Sequence, residues 1–487
     1  MAAALALAAV LAAEWPTDAR AGGFTITIIG GRRTGMQTNI GRPDDTTALF
    51  HNPAGLADQG GLRLHLSSSL TFLSTEFRLQ ALDPVRFPEI NPAGCGTAGS
   101  SPCPWTIGAD GYYEREIKPD RTFGVLPYLG GSTDLGFIRR RLRDVVVSLA
   151  VLAPDFYGAF LPESAPTAYQ MIDGTFLVIA TTAGVGWRIN KHIAVGGNIS
   201  YNYMRLGLRQ KLSVVDALTP AGLQPDATAS LAQGLLGDLM LDYVGRDDGV
   251  GWALSLLVDP LPRLSVGFTY TGATPARFEG GLTMRALAQT FSDDPTKLRQ
   301  FMNGAGYKLP DALTVEMPIP HALMWGVNFR PTSWLEVGLD YRLWLYNLYK
   351  EQRITPHYDP TTPGKEPITA DSLSRDKRYS VSWELATGVL VRPFRRLPTL
   401  ELMAGVSYDQ SPIPDETFTL DNPSLSQVLS SVGARWLFAR RWRLSFTYMV
   451  DVYLGRDVRT SQTSPPTNAR GRGLAHLPGL ELEYIHQ

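Results

Sequence analysis

Seven histidines stand singly along the chain, and none belongs to a Gly-x-Ser-x-Gly, His-Glu-x-x-His or Gly-x-x-x-x-Gly-Lys-Ser/Thr motif, all of which are absent. Nucleophilic, zinc-dependent and phosphate-cradling chemistries therefore have no local signature, and the reading is of a protein that is not an enzyme. A Ser–His pair that meets only in space, as an outer-membrane lipase or esterase would use, stays open as a remote alternative. The only two cysteines, Cys95 and Cys103, are eight positions apart, which excludes a thiolate metal cluster. No metal and no cofactor are expected; the pair reads as a local disulfide in an oxidising compartment, without the Cys-x-x-Cys spacing of redox catalysts.

What remains is binding chemistry. Leu231, Leu235, Leu239 and Tyr243 recur every four residues, joined by Leu236 and Met240, and Leu287, Phe291, Leu298, Phe301 and Met302 form a second apolar face around 284–303. Both predict amphipathic helices, over 231–243 and 284–303, that either pack between loops or offer a groove to an apolar ligand. A carboxylate head on such a ligand would need a cation or backbone donors, and Arg342, Arg435 and Arg443 are candidates.

The elements that position these residues show a period of two. From Leu264 the chain reads Leu264, Val266, Phe268, Tyr270 on one parity and Ser265, Gly267, Thr269, Thr271 on the other. The pattern recurs from Ile193, Leu335 and Trp442, over lengths that suit a tilted membrane-spanning strand of about 9 to 11 residues. Fourteen strands are expected, at 61–73, 121–130, 144–153, 175–189, 191–206, 250–259, 262–272, 319–330, 333–345, 379–392, 398–409, 427–438, 441–453 and 475–486. Their connections alternate between very short and long (154–174, 207–249, 273–318, 346–378, 410–426, 454–474), the arrangement of an outer-membrane barrel with its short turns and both termini in the periplasm. His65 shares the parity of Ser67, Ser69 and Thr71 and should face the lumen. Trp187, Trp252, Trp334, Trp436 and Trp442 are read as an aromatic girdle near the short turns.

Charge and targeting agree with this class. Lys plus Arg number 45 against 46 Asp plus Glu, so there is no electrostatic footprint for nucleic acid. Residues 1–21 open with the uncharged run MAAALALAAVLAA and close on Ala19-Arg20-Ala21, which reads as a signal peptide, with a buried N-terminal helix as the alternative. Residues 22–60 are glycine-rich and lack any period; they are expected to fold into the lumen as a plug, or else to form a loose periplasmic tail. Residues 61–487 then make up an all-β, 14-stranded antiparallel transmembrane barrel.

The N-terminal residues also carry a resemblance. Gly22-Gly23-Phe24, the glycine-rich run to Gly41, and Asp44-Asp45-Thr46-Thr47-Ala48-Leu49-Phe50-His51-Asn52-Pro53-Ala54 resemble the FadL/TodX family of outer-membrane transporters for long-chain fatty acids and other hydrophobic compounds. Further similarities follow in order at Val185–Ile193, Asp247–Trp252, Leu309–Val315, Tyr408–Asp415 and Ala475–Tyr484. Thr46 and Thr47 depart slightly from the family spacing, and the chain ends Tyr484-Ile485-His486-Gln487 where the family usually ends on an aromatic residue. The resemblance implies passive uptake through a plugged barrel, with Gly23, Phe24, Asp44, Asp45, Asn52, Pro53 and Ala54 in the plug and gate. It also implies a lateral wall opening at a kink of the third strand, here Asp144 to Ala153, which Pro154 is expected to end. The loop groove would comprise Leu231, Leu235, Leu239, Met240, Phe291, Phe301 and Met302. The partners expected are a hydrophobic small molecule and outer-membrane lipid, around a monomer; import of aromatic hydrocarbons or alkanes, or a polar-solute porin, are the alternatives.

Overall fold

The computed structural model describes residues 28–91, 95, 102–119, 123–218, 224–291, 294–361, 366–367, 373–421 and 423–486. The signal peptide expected at residues 1–21, and Gly23 and Phe24, lie outside them. Fourteen strands run β1 (Leu62–Leu79), β2 (Phe123–Asp134), β3 (Val145–Phe160), β4 (Asp173–Asn190), β5 (Ile193–Leu212) and β6 (Leu239–Leu261). Four kinked strands follow: β7 (Leu264–Thr271, then Arg277–Ala286), β8 (Ala312–Glu316, then Ala322–Phe329), β9 (Leu335–Trp344, then Glu351–His357) and β10 (Leu373–Asp376, then Ser382–Val391). The last four are β11 (Leu400–Asp409), β12 (Gln427–Phe438), β13 (Trp442–Asp457) and β14 (Ala469–His486). Each strand pairs antiparallel with its sequence neighbours, and β1 pairs with β14 from Leu62↔His486 to Leu79↔Ala469, which closes the barrel.

Alternation decides which face is which. On β1, Leu62, Leu64 and Leu66 are exposed while Arg63, His65 and Ser67 are buried. The same outward apolar parity recurs at Leu149, Ile199, Leu254, Leu339, Val432, Phe446 and Leu480, so the exposed band belongs in lipid and the polar parity inside. Two aromatic rows border this band. Trp187, Trp334, Trp436 and Trp442 lie at the short-turn end, with the Trp442 ring 4.9 Å from Tyr484. At the long-loop end, Trp325, Tyr341, Trp383 and Tyr408 form a continuous row across four adjacent strands with centroids 4.8, 6.1 and 5.2 Å apart. Trp252 belongs to this second row, 5.4 Å from Tyr270, and not to the short-turn row expected from sequence.

Several strands outrun their sequence boundaries. β5 continues to Leu212 and β6 starts at Leu239, so the connection expected at 207–249 shrinks to 213–238. The extensions stand outside the lipid band, where Arg205, Arg209, Asp242 and Arg246 replace the outward apolar residues and erase the pattern, while the ladder runs on from Ile193↔Val258 to Leu212↔Leu239. Pro154 does not end the third strand. The register shifts between Leu152↔Ala180 and Asp155↔Val178, so two residues oppose one, and β3 then continues to Phe160; a bulge takes the proline out of the ladder.

The loop helices are also shorter than expected. α3 (Val214–Leu218) and α4 (Ala227–Leu236) precede Gly237, whose φ of +63° breaks the helix. Leu239, Met240 and Tyr243 are strand residues: a spacing of four is even, and it satisfies a strand's parity as well as a helix's face. Within 284–303, Met284 ends in β7, Phe291 sits in a 3₁₀ turn (Gln289–Phe291), and only α5 (Pro295–Gly304) is helical. Asp294 caps α5 by accepting from the Thr296 N–H at 2.9 Å.

Candidate functional site

Residues 28–59 lie inside the barrel, almost wholly buried. They include two short helices, α1 (Gly31–Met36) and α2 (Ala48–His51), and a 3₁₀ turn (Pro53–Asp58). The segment presses its backbone directly on glycines of the wall. A Cβ on Gly388 would stand 1.8 Å from the Met36 carbonyl oxygen, and one on Gly405 2.3 Å from the same atom. Gly267 would come within 2.0 Å of Ile40 O, and Gly196 within 2.3 Å of Ala54 N. Glycine inside a strand weakens it, and here each marks a place where another backbone approaches too closely for any side chain.

Charges fix the rest of the seat. The Asp44 carboxylate accepts from Arg435 at 2.6 and 2.9 Å and from Arg32 at 3.2 Å, and its carbonyl accepts from Arg443 at 3.1 Å. Burial alone would raise this carboxyl, but Arg435 and then Arg32 hold it well below the usual carboxylate range. Arg33 pairs with Glu384 at 2.7 Å, Arg32 and Arg42 both pair with Glu336, and the Gly31 N–H donates to Glu481. His65 faces the lumen, with Nε2 3.3 Å from Glu481 and Nδ1 2.8 Å from the Thr46 hydroxyl.

Around the tight turn, Asp45 accepts the Thr47 N–H at 2.8 Å, and Asn52 donates to Ile40 O at 2.8 Å and accepts from Ala54 N at 3.2 Å. Ala54 N also meets Ser255 Oγ at 2.7 Å. The His51 ring contacts Ile29 O at 2.8 Å; burial pushes this imidazole down to about 3. Arg342 is held by Asp340 at 3.1 Å and Asn39 at 2.9 Å, and Asp340 in turn accepts the Asn39 and Ile40 N–H groups at 2.6 and 3.0 Å. Arg342, Arg435 and Arg443, considered from sequence for a ligand head group, are thus committed to the inner segment and the wall carboxylates.

Cavities open toward both ends of the lumen. Toward the long loops lies one of about 230 Å³, walled by Leu206, Leu208, Leu241, Leu282, Leu313, Val315 and Met317 among others. Its polar residues include Arg375, Lys377 and Asp421; the buried Lys377 Nζ is 3.8 Å from Asp421. Toward the short turns lies a wider cavity of about 810 Å³, with polar and charged walls. The structure divides the residues expected to form one loop groove. Leu239 and Phe291 are buried in a cluster with Leu236 and Leu298, against which Met302 packs, and Met240 packs with Ala168 and Ile172. Leu231, Leu235 and Phe301 remain 65%, 49% and 42% exposed. Cys95 and Cys103 are joined as a disulfide.

Lys377 and the wall glycines escaped the sequence reading. Lys377 follows a strand fragment too short to show alternation, while the signal for the glycines was present: Gly388, Gly405 and Gly267 interrupt strands on the inward parity.

The family model for outer membrane protein transport proteins (OMPP1/FadL/TodX) matches residues 155–484. Among solved structures, a FadL homologue from Pseudomonas aeruginosa superposes with a TM-score of 0.75 at 15% identity, covering 96% of this chain and all of that one. The toluene transporters TbuX of Ralstonia pickettii (TM-score 0.60, 14% identity, 96% and 99% covered) and TodX of P. putida (0.63, 16%, 94% and 99%) share the fold. No curated protein matches the sequence.

Proposed function

Because the chain belongs to the outer membrane protein transport family (OMPP1/FadL/TodX), outer-membrane carriers of hydrophobic compounds, we propose that it imports amphipaths with a long apolar tail and one carboxylate, long-chain fatty acids foremost. The observation that carries this reading is the 230 Å³ cavity, an apolar chamber with Lys377 and Arg375 among its few polar residues. Each methylene moved there from water gains about 0.8 kcal/mol, and the cations receive the head group. Exposed Leu231, Leu235 and Phe301 make first contact outside, and Leu239, Met240, Phe291 and Met302 support them from beneath.

Asp44, Asp45, Asn52, Pro53 and Ala54 hold the gate, and Gly23 and Phe24 belong to the same segment after removal of residues 1–21. The short turns and both termini face the periplasm, the barrel acts as a monomer, and passage is passive, with no catalysis, metal or cofactor. Import of an aromatic hydrocarbon is the second reading, favoured by the apolar chamber itself and by the likeness to TbuX and TodX, named as toluene transporters. Dodecanoate and toluene retention by the refolded barrel, with and without Lys377→Met, separates the two. Loss of dodecanoate about tenfold with toluene unchanged supports the carboxylate reading; equal retention of dodecanoate by both proteins refutes it. Free permeation of small sugars through the wild-type barrel would favour a porin instead.

A further inference from the structure

The cavity on the short-turn side differs from the apolar chamber in kind. Five side chains on its walls are cationic, Arg42, Arg63, Arg188, Lys191 and Arg330, against three carboxylates, Asp44, Asp58 and Asp259. Those three are already engaged: Asp44 by Arg435 and Arg32, Asp58 and Asp259 by Arg188, the latter at 2.8 Å. Arg42 has one edge on Glu336, and Arg63 meets Glu483 at 3.4 Å. Among the described residues, neither Arg330 nor Lys191 has a carboxylate within ion-pair distance.

The Arg330 side chain makes one weak bond, Nη2 to Pro262 O at 3.3 Å, and its Nε is buried without a partner. Burial, and next the charge of Arg42, disfavours its cation. Two guanidinium groups lining one cavity, with exposed Lys191 at its rim and no carboxylate in its reach, leave an excess of positive potential that an anion would neutralise. Leu261, 60% exposed, and Pro262 add an apolar strip to the same wall.

We propose that this vestibule binds a carboxylate head group, between Arg330, Arg42 and Lys191, with the adjoining tail laid on Leu261 and Pro262. This inference rests on the transport reading and extends it: the cargo meets a second, basic station on the periplasmic side of the plug, which a neutral hydrocarbon would not occupy.

Lys191 lines the vestibule and is itself the reporter. The refolded full-length mature barrel in non-ionic detergent is treated with a water-soluble acetylating reagent, and the acetylation rate at Lys191 is read by peptide mass spectrometry. Saturating dodecanoate is expected to slow it at least about fivefold, dodecanol to leave it unchanged, and Arg330→Gln to abolish the protection. Circular dichroism and heat-modified gel mobility show whether the Arg330→Gln barrel is folded, and Arg330→Lys, which keeps the charge, should retain part of the protection. Dodecanoate retained by the barrel without slowing Lys191 overturns this proposal alone. Inorganic phosphate protecting as well as dodecanoate at equal concentration overturns the head-group assignment in favour of a free anion. No retention of dodecanoate anywhere on the barrel overturns the transport reading and this inference with it.

Discussion

Gly388→Ala tests whether wall glycines seat the inner segment. The added Cβ would lie 1.8 Å from Met36 O, and carrying that oxygen out to 3.0 Å requires a shift of roughly 1.2 Å. Sideways escape is closed, because Gly405 abuts the same oxygen and Arg33 is tied to Glu384 at 2.7 Å one turn earlier. Overpacking of this kind costs about 1–3 kcal/mol. The barrel itself should gain slightly, since alanine suits a strand better than glycine by about 0.5–1 kcal/mol. The strain therefore falls on docking, and the undocked population should rise about 5- to 150-fold. Limited proteolysis of the 28–60 segment measures this, with heat-modified gel mobility showing that the barrel is closed, and planar-bilayer conductance should rise in parallel. Gly281→Ala, where an added Cβ meets nothing within 4 Å, is the control. If Gly388→Ala matches both Gly281→Ala and the wild type in cleavage and conductance, the glycines are not seats.

Removing the central charge should be harsher. Asp44→Asn leaves Arg32 and Arg435 short of a buried partner, a loss of about 3–5 kcal/mol that should appear as an open, conducting barrel. Acid should act through His51: its docked pKa of about 3 lies below the usual 6.5, so its contribution to docking is complete above pH 6.5 and is lost as pH falls toward 3. About 2 kcal/mol should be gone at pH 5, read as faster proteolysis of the plug, and His51→Gln should flatten that window. Asn52→Ala removes the bonds to Ile40 O and Ala54 N and should loosen the turn by about 1–2 kcal/mol; unchanged uptake would count against a gating role.

The barrel was legible wherever lipid imposes its rule. Leu264 to Tyr270 and Trp442 to Val450 alternate because one parity meets hydrocarbon, and fourteen such runs close the barrel. Where strands leave the lipid, water accepts either parity, and Arg205, Arg209 and Asp242 conceal strands that the backbone still forms. Leu239 and Tyr243 misled for a related reason, since a four-residue interval belongs to both periods. The seat was hidden differently. Asp44 stood out in sequence, but its partners Arg435 and Arg443 lie 391 and 399 residues away, and only barrel closure brings them together. Nothing local tells an arginine reserved for a ligand from one spent on a plug.

Strand β14 carries Glu481 and Glu483, which receive the Gly31 amide, His65, Arg63 and Arg443. The strand that seals the barrel against β1 is thus also the one that completes the lumenal seat. Closure of the barrel and docking of its interior become a single cooperative event, and an unfinished barrel holds its N-terminal segment loosely. Proteolytic surveillance during assembly would therefore act on that segment first, sparing the chains that have sealed their final seam.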